Sequence, residues 1–102
     1  NTDSAIATAV CLYASALTGV PVLPTLTYGC SLGHTERWSG TLSLYPETLI
    51  TVVRELAEWL VRTGWRRLLI VNSHFGNLSP VRCAIDRLRF EYPGKFQIGV
   101  RN

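Results

Sequence analysis

The sequence predicts an α/β domain with three layers, α/β/α, built around a mainly parallel, Rossmann-like sheet. Apolar residues recur at helical spacing in three segments, and β-branched or continuous apolar runs follow each of them. The resulting order αβαβαβ joins parallel strands most economically through right-handed helical crossovers. A chain of 102 residues that is 47% hydrophobic and 17% charged has the composition of a folded domain, not of a disordered or low-complexity segment.

The first helix is expected over about residues 5–18, where Ala5, Ile6, Ala9, Val10, Leu12, Tyr13 and Leu17 fall on helical spacing. Thr2 or Asp3 can cap its free N–H groups, and Gly19 is the expected stop. Residues 20–25 form a short β-branched run broken by Pro21 and Pro24, each of which removes a ladder donor, so an irregular or edge strand is predicted.

Residues 27–44, a stretch of about 18, hold Gly29, Gly33, His34, Glu36, Arg37, Trp38 and Gly40. Loops of that length inside compact domains commonly carry function. Pro46 and Glu47 suit the first turn of a second helix, Leu49, Ile50, Val53, Leu56, Ala57, Leu60 and Val61 give its apolar stripe, and Gly64 ends it.

Residues 67–71 are a strand expected to be central and covered on both faces. The loop 72–77 leaves its carboxyl end, and Ser79-Pro80 resembles an N-cap followed by a first-turn proline. A third helix burying Val81, Ala84, Ile85 and Leu88 is expected to reach about Glu91, followed by the Pro93-Gly94 turn and a last strand over 96–100. Ligands of such sheets bind beyond the carboxyl ends of strands, which singles out residues 28–44 and 72–77.

The formal charge of +3 comes from basic residues scattered through the second half, with a small edge at Arg62, Arg66 and Arg67. That pattern argues against a nucleic-acid partner. No apolar run approaches the roughly 18 residues of a membrane span, and no signal segment opens the sequence, so a soluble cytoplasmic protein is expected. Cys11, Cys30 and Cys83 lack the short spacing of a zinc ribbon or redox pair and read as reduced thiols. The start at Asn1 without Met, and the end inside a strand, suggest a piece of a larger domain.

His74 stands at a strand end beside Phe75 and Gly76 and between two asparagines, as a metal ligand does, or as a histidine that hydrogen-bonds a turn. Asp3 ahead of a helix is more often an N-cap than a metal ligand, and both can be true, since one oxygen can serve the backbone while the other meets a cation. His34 and Glu36 could converge on an ion or substrate, or belong to a solvated loop with a Glu36–Arg37 pair. Ser73 lacks a glycine-flanked nucleophile elbow, and Cys11 and Cys83 fall on helices away from either histidine.

Four ordered motifs carry a resemblance. They are Asn1-Thr2-Asp3 ahead of a small-residue helix, Val20-Pro21-Val22-Leu23-Pro24 with Tyr28-Gly29-Cys30-Ser31, Gly40-Thr41-Leu42-Ser43-Leu44, and Val71-Asn72-Ser73-His74-Phe75-Gly76-Asn77. Together they resemble the creatininase (creatinine amidohydrolase) family over nearly the whole chain. The resemblance implies a Rossmann-like α/β/α domain, usually a homohexamer, with a divalent metal centre of commonly two ions, zinc, manganese or iron. That centre activates water to hydrolyse a non-peptide or cyclic amide C–N bond of a small molecule.

By the resemblance, Asp3 matches the aspartate that bridges the ions and His74 the histidine ligand of an N-x-H-x-x-N loop. Ser31 and Phe75 match substrate-pocket positions. His34 matches the histidine of the loop before Gly-Thr-Leu-Ser-Leu, with spacing one residue longer here. No residue of this chain is assigned as the catalytic acid.

Three departures accompany the resemblance. Creatininase itself has a glutamate ligand where this chain has Gly76, and Ser39 stands where the family usually has proline. The family's Glu-x-His pair and a later His-Ala-Gly segment fall outside residues 1–102, so the chain reads as the central part of a creatininase-like domain. Two other readings are carried: a non-catalytic α/β domain holding an anion at the helix start near Asn77 and Ser79, and an inactive structural remnant of the family.

Overall fold

The computed structural model describes residues 2–32 and 42–102, apart from the side chains of residues 2 and 3. Its elements are helix α1 (Thr2–Thr18), helix α2 (Pro46–Arg62), strand β1 (Arg67–Val71), a 3-10 turn (Phe75–Asn77), helix α3 (Leu78–Glu91) and strand β2 (Gln97–Arg101).

Helix α2 follows its sequence signals closely. Pro46 occupies the first turn, where its missing N–H has no helical partner to lose, and Glu47 and Arg62 lie at the dipole ends that favour them. Leu49, Val53 and Ala57, four residues apart, form the buried stripe. The helix ends in a Schellman motif: Trp65 N–H donates to the Leu60 carbonyl at 2.9 Å and Gly64 N–H to the Val61 carbonyl at 3.2 Å. Gly64 has φ +96°, a conformation that a side chain would strain.

Strands β1 and β2 pair in parallel as a two-stranded sheet, with Arg67 opposite Gln97 and Val71 opposite Arg101. The β1–α3–β2 segment is therefore the crossover unit of an α/β fold. Two further bonds extend the ladder, Gln97 N–H to the Arg66 carbonyl and Asn72 N–H to the Arg101 carbonyl, both 2.8 Å. The second carries the pairing into the loop where His74 lies.

Val81, Ala84, Ile85 and Leu88 of α3 meet the α2 stripe, with Ile98 of β2 and Phe96 just ahead of it closing the core. Leu68, Ile70 and Val100 pack against this cluster from the sheet. On the periphery, Glu91 accepts from Arg54 of α2 and, at 3.4 Å, from Arg87 of α3. Arg89 donates to the Ile98 carbonyl at 2.8 Å and ties α3 to β2.

Three expectations are corrected here. Residues 20–25 form no strand, because Pro21 and Pro24 each remove the donor that pairing needs. Among the described residues strand β1 is covered on one face only, with Leu69 on the other 65% exposed, and β2 is its single pairing partner. Helix α1 begins at Thr2, which puts Asp3 inside the first turn and not at the cap. Of its apolar side chains only Ala7 is buried, while Ile6, Val10, Leu12, Tyr13 and Leu17 are more than half exposed. Its described side-chain ties include the Thr8–Thr25 hydroxyl pair at 2.6 Å and a bond from the Ser15 hydroxyl to the Val20 carbonyl at 2.6 Å.

Candidate active site

The carboxyl end of β1 runs into Asn72, Ser73 and His74, then turns through Phe75–Asn77 into α3. The Asn72 side chain organises this loop. Its Oδ1 accepts from the His74 backbone N–H at 3.1 Å and from Asn77 Nδ2 at 3.3 Å, and its Nδ2 donates to Asn102 Oδ1 at 2.9 Å beyond the end of β2. An asparagine suits this position because one side chain accepts twice and donates once without bringing charge.

Asn77 occupies the N-cap position of α3 but makes no side-chain capping bond. Its Oδ1 instead accepts the Cys30 backbone N–H at 2.7 Å, from a residue 47 positions earlier. Ser79 is thus not the cap: the helix begins at Leu78, and Pro80 falls within the first turn, where a missing donor is tolerated. The same proline removes one of the N–H groups that an anion at this helix start would use, which weakens the anion-binding reading.

Residues 29–31 are held from the other side as well. Leu44 N–H donates to the Gly29 carbonyl at 2.9 Å, and Ser31 N–H donates to the Ser43 hydroxyl at 2.8 Å. The two arms of the long loop therefore close on each other before one of them meets the His74 turn. Both contacts need glycine. A Cβ on Gly29 would stand 2.9 Å from Asn77 Nδ2, and one on Gly76 would overlap the Cys30 carbonyl and lie 3.0 Å from His74 Nε2.

This folding brings the segment that carries Ser31 against the turn that carries His74 and Phe75. Ser31 and His74 are half-buried, and Phe75 is 86% exposed. Asp3 lies in the first turn of α1, with its side chain outside the description, and His34 and Glu36 lie outside the described residues. Among the described residues no three His, Cys, Asp or Glu side chains gather as a metal cluster. Cys11, Cys30 and Cys83 are free thiols, as expected. Among the described residues no helix is long and apolar enough to cross a membrane.

The comparisons with known proteins agree with this frame. The model of the Creatininase family, described as creatinine amidohydrolase, matches residues 1–101. The chain belongs to the creatininase family. It is 32% identical over 108 residues to creatinine amidohydrolase of Pseudomonas putida, covering 98% of this chain and 42% of that protein. It is 33% identical over 105 residues to a mycofactocin precursor peptide peptidase of Mycobacterium tuberculosis (strain CDC 1551 / Oshkosh), covering 89% of this chain and 39% of the relative. A solved structure titled creatininase Mn superposes with a TM-score of 0.78 at 30% identity, over 94% of this chain and 40% of that one. A creatininase mutant complexed with creatine gives 0.74 at 29% identity, over 95% and 41%. The chain thus spans about two fifths of the length of these creatininase-family relatives.

Sequence reasoning placed Asn72, Asn77 and Gly29 in the candidate loops but gave none of them a role in holding His74 or Ser31. The two asparagines flank His74 in the N-x-H-x-x-N pattern, and that flanking was the available signal. Nothing local announces that Asn77 reaches Cys30, because the two are distant in sequence and meet only through the tertiary fold.

Proposed function

We propose that this chain forms part of a metal-dependent amidohydrolase that cleaves a non-peptide or cyclic amide C–N bond in a small molecule. The observation that supports it most is the half-buried His74 at the carboxyl end of β1, braced by Asn72 and Asn77, in a chain matched by the Creatininase family over residues 1–101.

The donor chemistry fits a divalent ion. Imidazole and carboxylate together serve zinc, manganese or iron, and His74 stands just past the carboxyl end of β1, where ligands of parallel sheets bind. His74 would hold the metal through its ring, and Asp3 through a carboxylate whose two oxygens can serve two ions. Further ligands would come from family motifs that the resemblance places outside residues 1–102. When bound, a divalent metal supplies a Lewis acid that polarises a carbonyl and makes water a nucleophile near neutral pH.

The chain's own residues would orient and enclose the substrate. The Ser31 hydroxyl can accept from or donate to an amide, and the exposed Phe75 ring offers an apolar wall that limits water at the reacting carbonyl. His34 is proposed as a third substrate contact. The acid that protonates the leaving nitrogen is not assigned to this chain. We further propose a cytoplasmic homohexamer.

The test is Mn2+ titration of the full-length protein, with metal content measured beside it for Asp3→Asn and His74→Ala. Both variants are expected to lose bound metal. Unchanged metal content in both overturns the proposal.

A further inference from the structure

We propose that Asn77 is a positioning residue, whose side-chain amide fixes the distance between the His74 turn and the Cys30–Ser31 edge of the site without itself touching metal or substrate. The inference deepens the hydrolase reading and rests on it for its effect on metal binding.

Four observations carry it. Asn77 stands where a helix cap belongs and yet caps nothing with its side chain. That side chain instead spans two segments, accepting from the Cys30 N–H at 2.7 Å and donating to Asn72 Oδ1 at 3.3 Å. Asn72 Oδ1 is the same atom that receives the His74 N–H at 3.1 Å, so one arm of Asn77 ends on the atom that holds the metal-ligand candidate's backbone and the other on Cys30, beside the substrate-pocket candidate Ser31. The glycines at 29 and 76 open the space that lets the two segments approach.

The direction of each bond makes the role specific. Cys30 N–H needs an acceptor and Asn72 Oδ1 needs a donor, and only a side chain with one of each satisfies both. Aspartate has nearly the same shape and keeps the first arm, but it turns an acceptor toward Asn72 Oδ1. Asn72 must then swing or withdraw, and in either case the His74 N–H loses its partner. Alanine removes both arms.

The experiment uses the full-length protein with Asn77→Asp and Asn77→Ala, reading amide hydrogen exchange at Cys30 and His74 together with Mn2+ affinity. In Asn77→Asp the Cys30 amide is expected to keep its protection while the His74 amide exchanges about tenfold faster, the scale of one lost hydrogen bond. Mn2+ affinity is expected to fall about 10- to 100-fold, as for other groups that orient a metal ligand. In Asn77→Ala both amides are expected to lose protection. A merely structural role would lower protection across α3 in both variants without separating the two amides.

Should Asn77→Ala fail to fold, the isosteric Asn77→Asp decides alone. Unchanged exchange at His74, or unchanged Mn2+ affinity in a wild-type chain that binds the ion, overturns the inference. A wild-type full-length protein, carrying those further ligands, that binds no Mn2+ removes the hydrolase reading instead, and the positioning role is then judged by the two amides.

Discussion

The backbone carbonyl of Cys30 occupies the space in which a side chain on Gly76 would begin. Two segments more than forty positions apart are thereby in backbone-to-backbone contact at the floor of the candidate site. The resemblance places a glutamate ligand at this position in creatininase itself. In this chain a longer side chain at 76 and the observed course of residues 29–31 exclude each other.

Gly76→Ala is accordingly expected to destabilise the fold by about 1–3 kcal/mol, the range for an added methyl in a packed contact. Urea denaturation read by circular dichroism measures it. A midpoint unchanged from wild type would show that residues 29–31 yield freely and that the contact constrains nothing.

The core makes a second demand. Leu88 is 1% exposed and sits where α3 meets α2 and β2. Leu88→Ala should cost about 2–5 kcal/mol, the sum of lost transfer energy and the cavity left behind. Against the roughly 5–15 kcal/mol total of a typical domain, that is a large share. A loss under about 1 kcal/mol in the same denaturation assay would mean that α3 packs on something other than this cluster.

Glu91 accepts from Arg54 and Arg87, and the Arg54–Glu91 pair is about three quarters shielded from solvent. Because Arg54 lies on α2 and Glu91 on α3, the pair joins the two helices that build the core. Glu91→Gln is expected to lower stability by about 1 kcal/mol, near the top of the range for solvent-screened pairs. Adding salt should narrow the difference from the wild-type chain, and a difference that grows with salt would contradict an electrostatic tie.

Helix α1 should be the most easily opened element. Its apolar side chains are exposed and its described ties are a few hydroxyl bonds, whereas α2 and α3 share a buried cluster. Hydrogen exchange by mass spectrometry should therefore show its amides exchanging faster than those of α2 and α3. If Asp3 and His74 share an ion, Mn2+ at about a hundred times its dissociation constant should slow that exchange, a stabilisation of about 2.7 kcal/mol where opening releases the metal. Equal exchange in the three helices before metal is added would contradict the premise.

The parts of this fold that could be read from the sequence are those whose causes are local. Pro46, Glu47 and Gly64 bound α2 through sterics and dipole chemistry, and the spacing of Leu49, Val53 and Ala57 fixes which face is buried. His74 was legible as a candidate because an imidazole at a strand end is an unusual placement. Position 79 misled because Ser-Pro is a local capping signal, whereas the helix begins at Leu78 and the residue ahead of it, Asn77, is bonded to the distant Cys30. Strand β1 misled for a related reason: an apolar run reports what its faces require, and Leu69 shows that one of them is open among the described residues.

The pairing of Gly29 and Ser31 with Ser43 and Leu44 gives the long loop a tied neck. Chain entropy penalises a longer excursion from a fixed neck only weakly, by about 0.6 kcal/mol per doubling of length. Residues inside the neck can thus be added, removed or exchanged while the anchored ends keep their place beside the β1 turn. Length can therefore vary between the two sides of this neck without displacing the bond between Cys30 and Asn77, so the anchorage is separable from what it encloses.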